Sequence, residues 1–477
     1  MREKCGVVGI TLTRDGAARD CYYALYALQH RGQESAGIAT HDGFQQHSHV
    51  DVGLVGDIFT EEMLSDLKGS SAIGHVRYPT AGGLEKSCAQ PFTVSFKDGS
   101  LGLSHNGNLV NTDDIRDHLE GFGHAFTTEG DTEVIAHDLA RNLLNADLIR
   151  AIKRTMGRIH GSYSLTIMHD DTVMGVRDPA GNRPLCLGEL EDGYVIASES
   201  AAIDTLQGEL IRDIQPGELI VLDPDGRGYE SYQLVDTDQT ARCFFEWVYF
   251  ARPDSLLDGR LVYEIRRELG RRLWDRHGIE SDVVLPVPDS GRSFASGYAE
   301  AAGDRVEFAE GLMKNRYVGR TFIMPTQAER ERAVRMKLNP ITETVDGRSV
   351  TLIDDSIVRG TTSRQLVSLM RQAGATEVHF RVGSPPIVAP CYMGIDMATR
   401  EELIATDREI EDIRADIGAD SLAYLSPEDI AAVLEFEETE LCTACVTGKY
   451  PYDIPGEESD RPVSRPIIEE SHVESAE

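Results

Sequence analysis

The sharpest pattern of apolar and polar positions lies at residues 349–364, SVTLIDDSIVRGTTSR. Val350, Thr351, Leu352 and Ile353 form a short β-branched-rich run, which predicts a buried parallel strand. Asp354 and Asp355 stand where that strand ends, and a small-residue loop follows through Gly360, Thr361 and Thr362. Leu366, Val367, Leu369 and Met370 then mark one face of a helix stopped by Gly374. Upstream, Leu261, Ile265, Leu269 and Leu273 predict a second helix at i+4 steps. Residues 282–292, DVVLPVPDSGR, predict a strand running into a loop, because the prolines disfavour a helix and Gly291 permits an unusual turn. The N-terminal half alternates short strands with turns, as at 161–169, 172–177 and 193–198, and opens on the β-type run GVVGI after Cys5. The polar stretch DTDQT at 236–240 predicts a domain boundary. From Gly456 the chain is rich in Pro, Ser and Glu with little to bury, which predicts a disordered acidic tail over 456–477.

A length of 477 residues accommodates two to three domains. Hydrophobic content of 41% and charged content of 27% are those of a globular protein. No apolar run reaches the roughly 18 residues of a membrane span. The opening MREKCGVVGI lacks the apolar core and cleavage site of a secretory signal. The expectation is a cytoplasmic enzyme that does not engage a membrane. A net charge of −33 argues against general nucleic-acid binding, which needs a basic surface. A cytoplasmic chain keeps its eight cysteines reduced, so they need an explanation other than disulfides.

The strand, acidic pair, hydroxyl- and glycine-containing loop and helix match the way an open α/β sheet presents a phosphate site at its carboxyl edge. Loop amides and a helix N-terminus suit a phosphate, whereas two adjacent carboxylates suit sugar hydroxyls or a divalent metal. The ligand expected is therefore a phosphorylated ribose with Mg2+. The same residue types also suit a doubly wound sheet whose acidic pair only ends a strand and caps a helix. The full string resembles the phosphoribosyl-diphosphate motif of type I phosphoribosyltransferases. That resemblance implies that Asp354 and Asp355 hold the ribose and one Mg2+ per subunit, and that Arg359, Gly360, Thr361 and Thr362 hold the 5-phosphate. It makes 282–292 the diphosphate loop, with Arg292 on the diphosphate and Ser290 in the metal shell. Residues 311–340 carry Lys314, Arg316, Arg320, Arg330, Arg332, Arg335 and Lys337 in an otherwise acidic chain. They read as a solvated basic loop or, preferably, as a flap that closes over a polyanionic substrate.

Five ordered segments mark the N-terminal half: Cys5, then HRGQES at 30–35, GHVRY at 74–78, HNGNL at 105–109 and GDTE at 130–133. Together they resemble the glutaminase domain of N-terminal-nucleophile amidotransferases, from Cys5 to about Ala202. The resemblance implies that Cys5 attacks the glutamine amide with its own α-amino group as base, whose pKa of about 8 suits the task. It implies that Asn106 and Gly107 form the oxyanion hole, that Arg77 holds the glutamine carboxylate, that Asp131 takes the α-ammonium, and that Arg31 and Gly32 line the pocket. The amine of Cys5 is tied to Lys4, so residues 1–4 are expected to be a propeptide.

Cys442 and Cys445 form a C-x-x-C, which alone suits redox chemistry, zinc or nothing. Cys243 and Cys391 are the candidate partners, and four thiolates are what a cubane iron–sulfur cluster needs. Their positions match the amidophosphoribosyltransferases that carry a 4Fe-4S cluster; structural zinc and a metal-free set are the alternatives. Cys21, Cys88 and Cys186 read as ordinary buried residues. The chain as a whole resembles the amidophosphoribosyltransferase family. This implies a two-sheet αββα sandwich over 5–236 and a doubly wound parallel-sheet domain over 241–455. It also implies glutamine and phosphoribosyl diphosphate as substrates, the opening of purine biosynthesis as the role, and a homo-oligomer, commonly a tetramer. Other N-terminal-nucleophile amidotransferases carry a different second domain, against which 349–364 argues. A phosphoribosyl-diphosphate-sensing regulator without catalysis would not need the cysteine, Asn-Gly and arginine set. The diffuse acidity and scarcity of lysine point to a salt-rich cytoplasm, where self-repulsion is screened. The melting temperature should therefore rise between dilute buffer and molar KCl; a maximum in dilute buffer would refute this.

Overall fold

The computed structural model describes residues 5–78, 88–237, 239–315, 338–395, 397, 399–454 and 456–459. The first unit stacks two antiparallel sheets. One runs in the order Glu209–Asp213, Cys186–Leu190, Gly193–Ala197, Gly6–Leu12, Ser71–Arg77, Ser35–His41, Gln46–Val52. The other runs Tyr229–Gln233, Glu218–Leu222, Thr172–Arg177, Gly161–His169, Gly99–Leu109, Phe92–Phe96. Every residue of Gly6–Leu12 is buried, because both faces of this central strand are covered. Val7, Ile73, Met168, Val173, Ile196 and Ile220 fill the layer between the sheets. Helix Ala17–Ala27 packs Ala18, Cys21 and Leu25 on the outside of the first sheet, and helices Asp131–Leu143 and Leu148–Met156 cover the second. This is the αββα sandwich anticipated from the sequence.

The second unit is built on a five-stranded parallel sheet in the order Glu307–Phe308, Val283–Pro286, Ser349–Asp354, Glu377–Val382, Ser421–Tyr424. In chain order that is 2-1-3-4-5. The direction of winding reverses between Val283–Pro286 and Ser349–Asp354, and an open sheet binds ligands outside the carboxyl ends of the strands at such a switch point. The two loops singled out in the sequence leave these two strands. Helix Val262–His277 buries Ile265, Leu269 and Leu273 as the i+4 pattern required, while Leu261 stands just ahead of it as the cap. The apolar run at 243–250 is not one regular element. Arg242–Cys243 pairs in parallel with Leu441–Cys442, and Glu246–Phe250 makes a π-helical turn. Glu246 is buried in that turn.

The two units meet through charges withdrawn from water. Arg31, from the first, bonds through Nε to Glu199 and through Nη2 to Glu246 Oε2 of the second at 2.7 Å. Glu199 also takes His30 Nε2 at 2.7 Å, and the Arg252 amide and Ser255 hydroxyl donate to it at 2.9 and 2.6 Å. Arg183 Nη1 lies 3.4 Å from Glu246 Oε1. Burial works against the charge on Arg31, but the two carboxylates outweigh it and raise the guanidinium pKa. Burial likewise opposes ionisation of Glu199, and Arg31 and His30 reverse it, holding the carboxyl well below its usual range.

Ordered contacts run past Gly456, where the disordered tail was expected to start. Glu457 is held by Arg400 and by the Tyr392 hydroxyl at 3.0 Å, and Glu458–Ser459 pairs with Lys449–Tyr450. A carboxylate beside a guanidinium keeps this end docked. The expected propeptide at 1–4, the remainder of the expected tail and residues 316–337 of the expected flap lie outside the described residues. Among the described residues no helix is long and apolar enough to cross a membrane.

Candidate active sites

Cys5 stands immediately before strand Gly6–Leu12. The register pairs Gly6 with Val76, which sets Cys5 beside Arg77 at the end of the neighbouring strand. The thiol lies 3.7 Å from the Tyr78 carbonyl. Cys5, Arg77, Gln90, His105, Gly107, Thr128 and Asp131 line one cavity. Burial raises the Cys5 thiol pKa, with Arg77 and Arg31 opposing and Asp131 adding to the shift, so the resting thiol keeps its proton. Asn106 and Gly107 occupy strand Gly99–Leu109. The Asn106 Nδ2 is buried without a hydrogen-bond partner among the described residues. A buried donor left unmade is costly unless something arrives to accept from it. At Gly107 φ is +157°, and a Cβ would stand 2.0 Å from the Ser162 carbonyl oxygen, so no side chain fits.

Asp131 opens helix Asp131–Leu143, where a carboxylate is favoured. Its Oδ2 accepts from the Leu109 amide at 3.1 Å, and its Oδ1 lies 3.3 Å from His105 Nδ1. Burial disfavours its charge, yet His105 and these hydrogen bonds lower its pKa overall. Arg31, Gly32 and Asn106 are not among the described residues that line the cavity. Arg31 faces the second unit, and Gly32 lies against the backbone of Val76 and Arg77, where a Cβ would come within 2.5 Å of the Val76 carbonyl carbon. Gln90 is an addition. Its Oε1 accepts from the His105 amide at 2.7 Å and its Nε2 donates to the Thr132 hydroxyl at 2.8 Å, tying two walls together. His105 sits inside the HNGNL segment and could have been singled out from it; Gln90 lies in no quoted motif.

At the switch point Asp354 ends its strand and Asp355 begins the loop, both buried. The Asp355 amide donates to Asp354 Oδ1 at 3.0 Å. Burial and the neighbouring Asp355 charge push the Asp354 carboxyl well above the carboxylate range. Gly360, at φ +69°, turns the chain into helix Thr361–Gln372, so Thr361 and Thr362 supply its first turn. The second loop lies alongside. The Val287 amide donates to the Ile353 carbonyl at 2.9 Å, and a Cβ on Gly291 would stand 2.3 Å from that oxygen. Ser290 immediately precedes helix Gly291–Ala302, with no side-chain bond to the helix amides among the described residues. Arg292 is paired with Asp289 and Glu310, and Arg359 with Glu402, so both guanidinium groups are occupied by carboxylates. The stems of the basic loop, Leu312–Lys314 and Leu338–Pro340, form an antiparallel ladder.

The four cysteines come from three segments that converge. Cys243 and Cys442 are register partners. The Val388 and Ala389 amides both donate to the Cys445 carbonyl, at 2.9 and 3.1 Å, which draws the Cys391 segment alongside. Burial pushes all four thiols up, Cys243 to about 11 and Cys442 to about 12, and nearby thiols add to the shift at Cys391, Cys442 and Cys445. Arg183, fully buried, lowers Cys243, Cys391 and Cys442, and its Nε and Nη2 have no hydrogen-bond partner among the described residues. Among the described residues no three His, Cys, Asp or Glu side chains stand at the spacing of a single metal ion. Four convergent thiols are a donor set common to cubane iron–sulfur clusters and tetrahedral zinc.

A sandwich with a cysteine heading its central strand, joined to a parallel sheet with an acidic switch point, defines a glutamine amidotransferase of the N-terminal-nucleophile type fused to a phosphoribosyltransferase domain. A family model described as glutamine amidotransferase domain matches residues 75–205. The amidophosphoribosyltransferase of Archaeoglobus fulgidus is 50% identical over 461 residues, 96% of this chain and 100% of that one. That of Methanocaldococcus jannaschii is 49% identical over 466 residues, 94% of this chain and 98% of that one. The solved structure of the glutamine phosphoribosylpyrophosphate amidotransferase from B. subtilis, complexed with ADP and GMP, superposes with a TM-score of 0.87 at 43% identity, covering 97% of this chain and 99% of that one. The chain belongs to the amidophosphoribosyltransferase family, the enzymes of the first step of purine biosynthesis.

The raised Asp354 pKa makes its charge a destabilising element. Stability is lost as pH rises from the unfolded carboxyl value of about 3.9 towards the folded one. Asp354→Asn should therefore raise the melting temperature of the ligand-free protein at neutral pH and flatten its dependence on pH. An unchanged or lower melting temperature would contradict this.

Proposed function

We propose that this chain converts glutamine, water and phosphoribosyl diphosphate into phosphoribosylamine, glutamate and diphosphate. The observation that carries the reading is the pairing, within one chain, of a thiol cavity lined by Arg77, Gly107 and Asp131 with an acidic pair at the switch point of a parallel sheet. In this reading residues 1–4 are a leader whose removal frees the Cys5 amine. Residues 5–236 are the glutaminase domain and 241–455 the phosphoribosyltransferase domain. The enzyme is cytoplasmic and oligomeric.

Arg77 binds the glutamine carboxylate and Asp131 its ammonium. The Cys5 amine takes the thiol proton, and sulfur attacks the side-chain amide carbon. The developing oxyanion accepts from Asn106 Nδ2 and the Gly107 amide, donors whose loss in comparable sites costs about 10²–10³ in rate. Ammonia departs as the thioester forms, and water releases glutamate. At the second site Thr361, Thr362 and the helix N-terminus hold the 5-phosphate, and Asp354 and Asp355 hold the ribose hydroxyls. Arg292 must exchange its carboxylate partners for the diphosphate. Mg2+ on Asp354, Asp355, Ser290 and substrate oxygens would neutralise charge on the leaving diphosphate. A four-iron cluster on Cys243, Cys391, Cys442 and Cys445 would tie three segments of the second domain together.

Cys5→Ala should abolish glutamine-dependent release of diphosphate while leaving release driven by ammonium salts at alkaline pH. Asp355→Asn should lose both. Glutamine-dependent turnover surviving in Cys5→Ala would overturn the reading. Protein purified without oxygen should be brown, with iron and acid-labile sulfide at about four each per chain; colourless protein with stoichiometric zinc would replace the cluster by a structural zinc.

A further inference from the structure

The strand that carries Asn106 and Gly107 does not stand alone. The segment Tyr392–Gly394 of the second domain lies along it through three contacts. Asn108 Nδ2 donates to the Tyr392 carbonyl at 3.0 Å. Ser162, the register partner of Asn108 on the adjacent strand, donates from Oγ to the Met393 carbonyl at 2.9 Å. Gly394 then passes directly over the Gly107 carbonyl group. A Cβ at position 394 would stand 2.8 Å from the Gly107 oxygen, 2.9 Å from its carbonyl carbon and 3.3 Å from Arg183 Nη2. Those are backbone atoms and a fully buried guanidinium, so nothing flexible is available to give way. The backbone at Gly394 is also left-handed, with φ +90°. On the adjacent strand of the same sheet, the Ser162 carbonyl stands where a Cβ on Gly107 would lie, as described above. The backbone of Gly107 is thus closely approached by two segments, one from each domain.

We propose that Tyr392–Gly394 is a positioning element for the glutaminase reaction, and that Gly394 is the residue that lets it seat against Gly107. The proposal rests on the reading of Asn106 and Gly107 as the oxyanion donors. An oxyanion donor acts only if its N–H points at the position the charged oxygen will occupy, within hydrogen-bond distance. A shift of the Gly107 carbonyl is carried through its Cα to the N–H and redirects it, while Arg77, on strand Ser71–Arg77 of the other sheet, stays in place against the glutamine carboxylate. The predicted signature is a fall in kcat with KM for glutamine held, since the lost interaction exists only in the transition state. A role limited to holding the domains together would instead lower the melting temperature or raise KM.

The test is steady-state glutamine hydrolysis by the full-length enzyme with saturating phosphoribosyl diphosphate, for Gly394→Ala, Ser162→Ala and Asn106→Ala, each with its melting temperature. Gly394→Ala should lose kcat by about tenfold, less than removal of a donor outright, with KM within about twofold. Ser162→Ala, which adds no bulk, should lose about threefold in the same sense, and it decides the matter if Gly394→Ala does not fold. Wild-type kcat in folded Gly394→Ala and Ser162→Ala, beside a kcat loss of about a hundredfold in Asn106→Ala, would overturn this inference and leave the functional reading intact. A rise in KM with kcat unchanged would overturn it equally. Wild-type kcat in Asn106→Ala would remove the oxyanion reading on which both rest.

Discussion

A guanidinium that water does not reach, Arg31, is shared between Glu199 of the first domain and Glu246 of the second. Ion pairs so deeply buried are poor sources of stability, because desolvation of the charges offsets much of their attraction. What this one supplies is direction. A planar fork satisfies two carboxylates only over a narrow range of orientations, and Arg183 on the far side of Glu246 narrows it further. The relative placement of the two domains is therefore set by charge geometry as well as by apolar packing. The contacts of Tyr392–Gly394 with the glutaminase strand depend on that placement.

The constraint matters because the two chemistries are sequential. Ammonia released beside Cys5 is useful only while it stays unprotonated, so solvent has to be kept out between the sites. The thiol, the Asn106 amide, Arg183, Glu246 and the cysteine quartet are all buried or nearly so. The same low-dielectric surroundings raise the Cys5 thiol and the Asp354 carboxyl, groups that in water would titrate near their ordinary values. Both sites are thus electrostatically incomplete without substrate. Among the described residues the first offers Asn106 Nδ2 no acceptor, and the second crowds two carboxylates together. Arg292 and Arg359 show the complementary state, with carboxylates standing in contact with groups suited to a polyanion.

Much of this was legible in the residues. The run at 350–353 read as a buried parallel strand because it is apolar and rich in β-branched residues, 282–292 read as a strand entering a loop, and the helix at 262–277 followed its apolar i+4 positions. The thiol, Asn-Gly and acidic pair were visible because their chemistry is carried by short contiguous strings. The bond between the domains was not legible. Arg31 lies in HRGQES and was assigned to the substrate pocket, whereas its partners are 168 and 215 residues away. A glutamate inside the aromatic run at 243–250 has no local signature that names its partner. Gln90 was hidden for the same reason, since it works by bridging His105 to Thr132. The docking of Glu457 escaped composition because it rests on particular partners, Arg400, the Tyr392 hydroxyl and the Lys449–Tyr450 strand, that a polar, proline-containing stretch does not announce.

The central claim is that one chain generates nitrogen at one site and consumes it at the other without release. The most direct measurement is simultaneous quantitation of glutamate and diphosphate during turnover with both substrates saturating, in the presence of an enzyme that destroys free ammonia. The account predicts equal amounts of the two products, unaffected by the scavenger. Glutamate in excess of diphosphate, or diphosphate production that collapses when the scavenger is added, would contradict it.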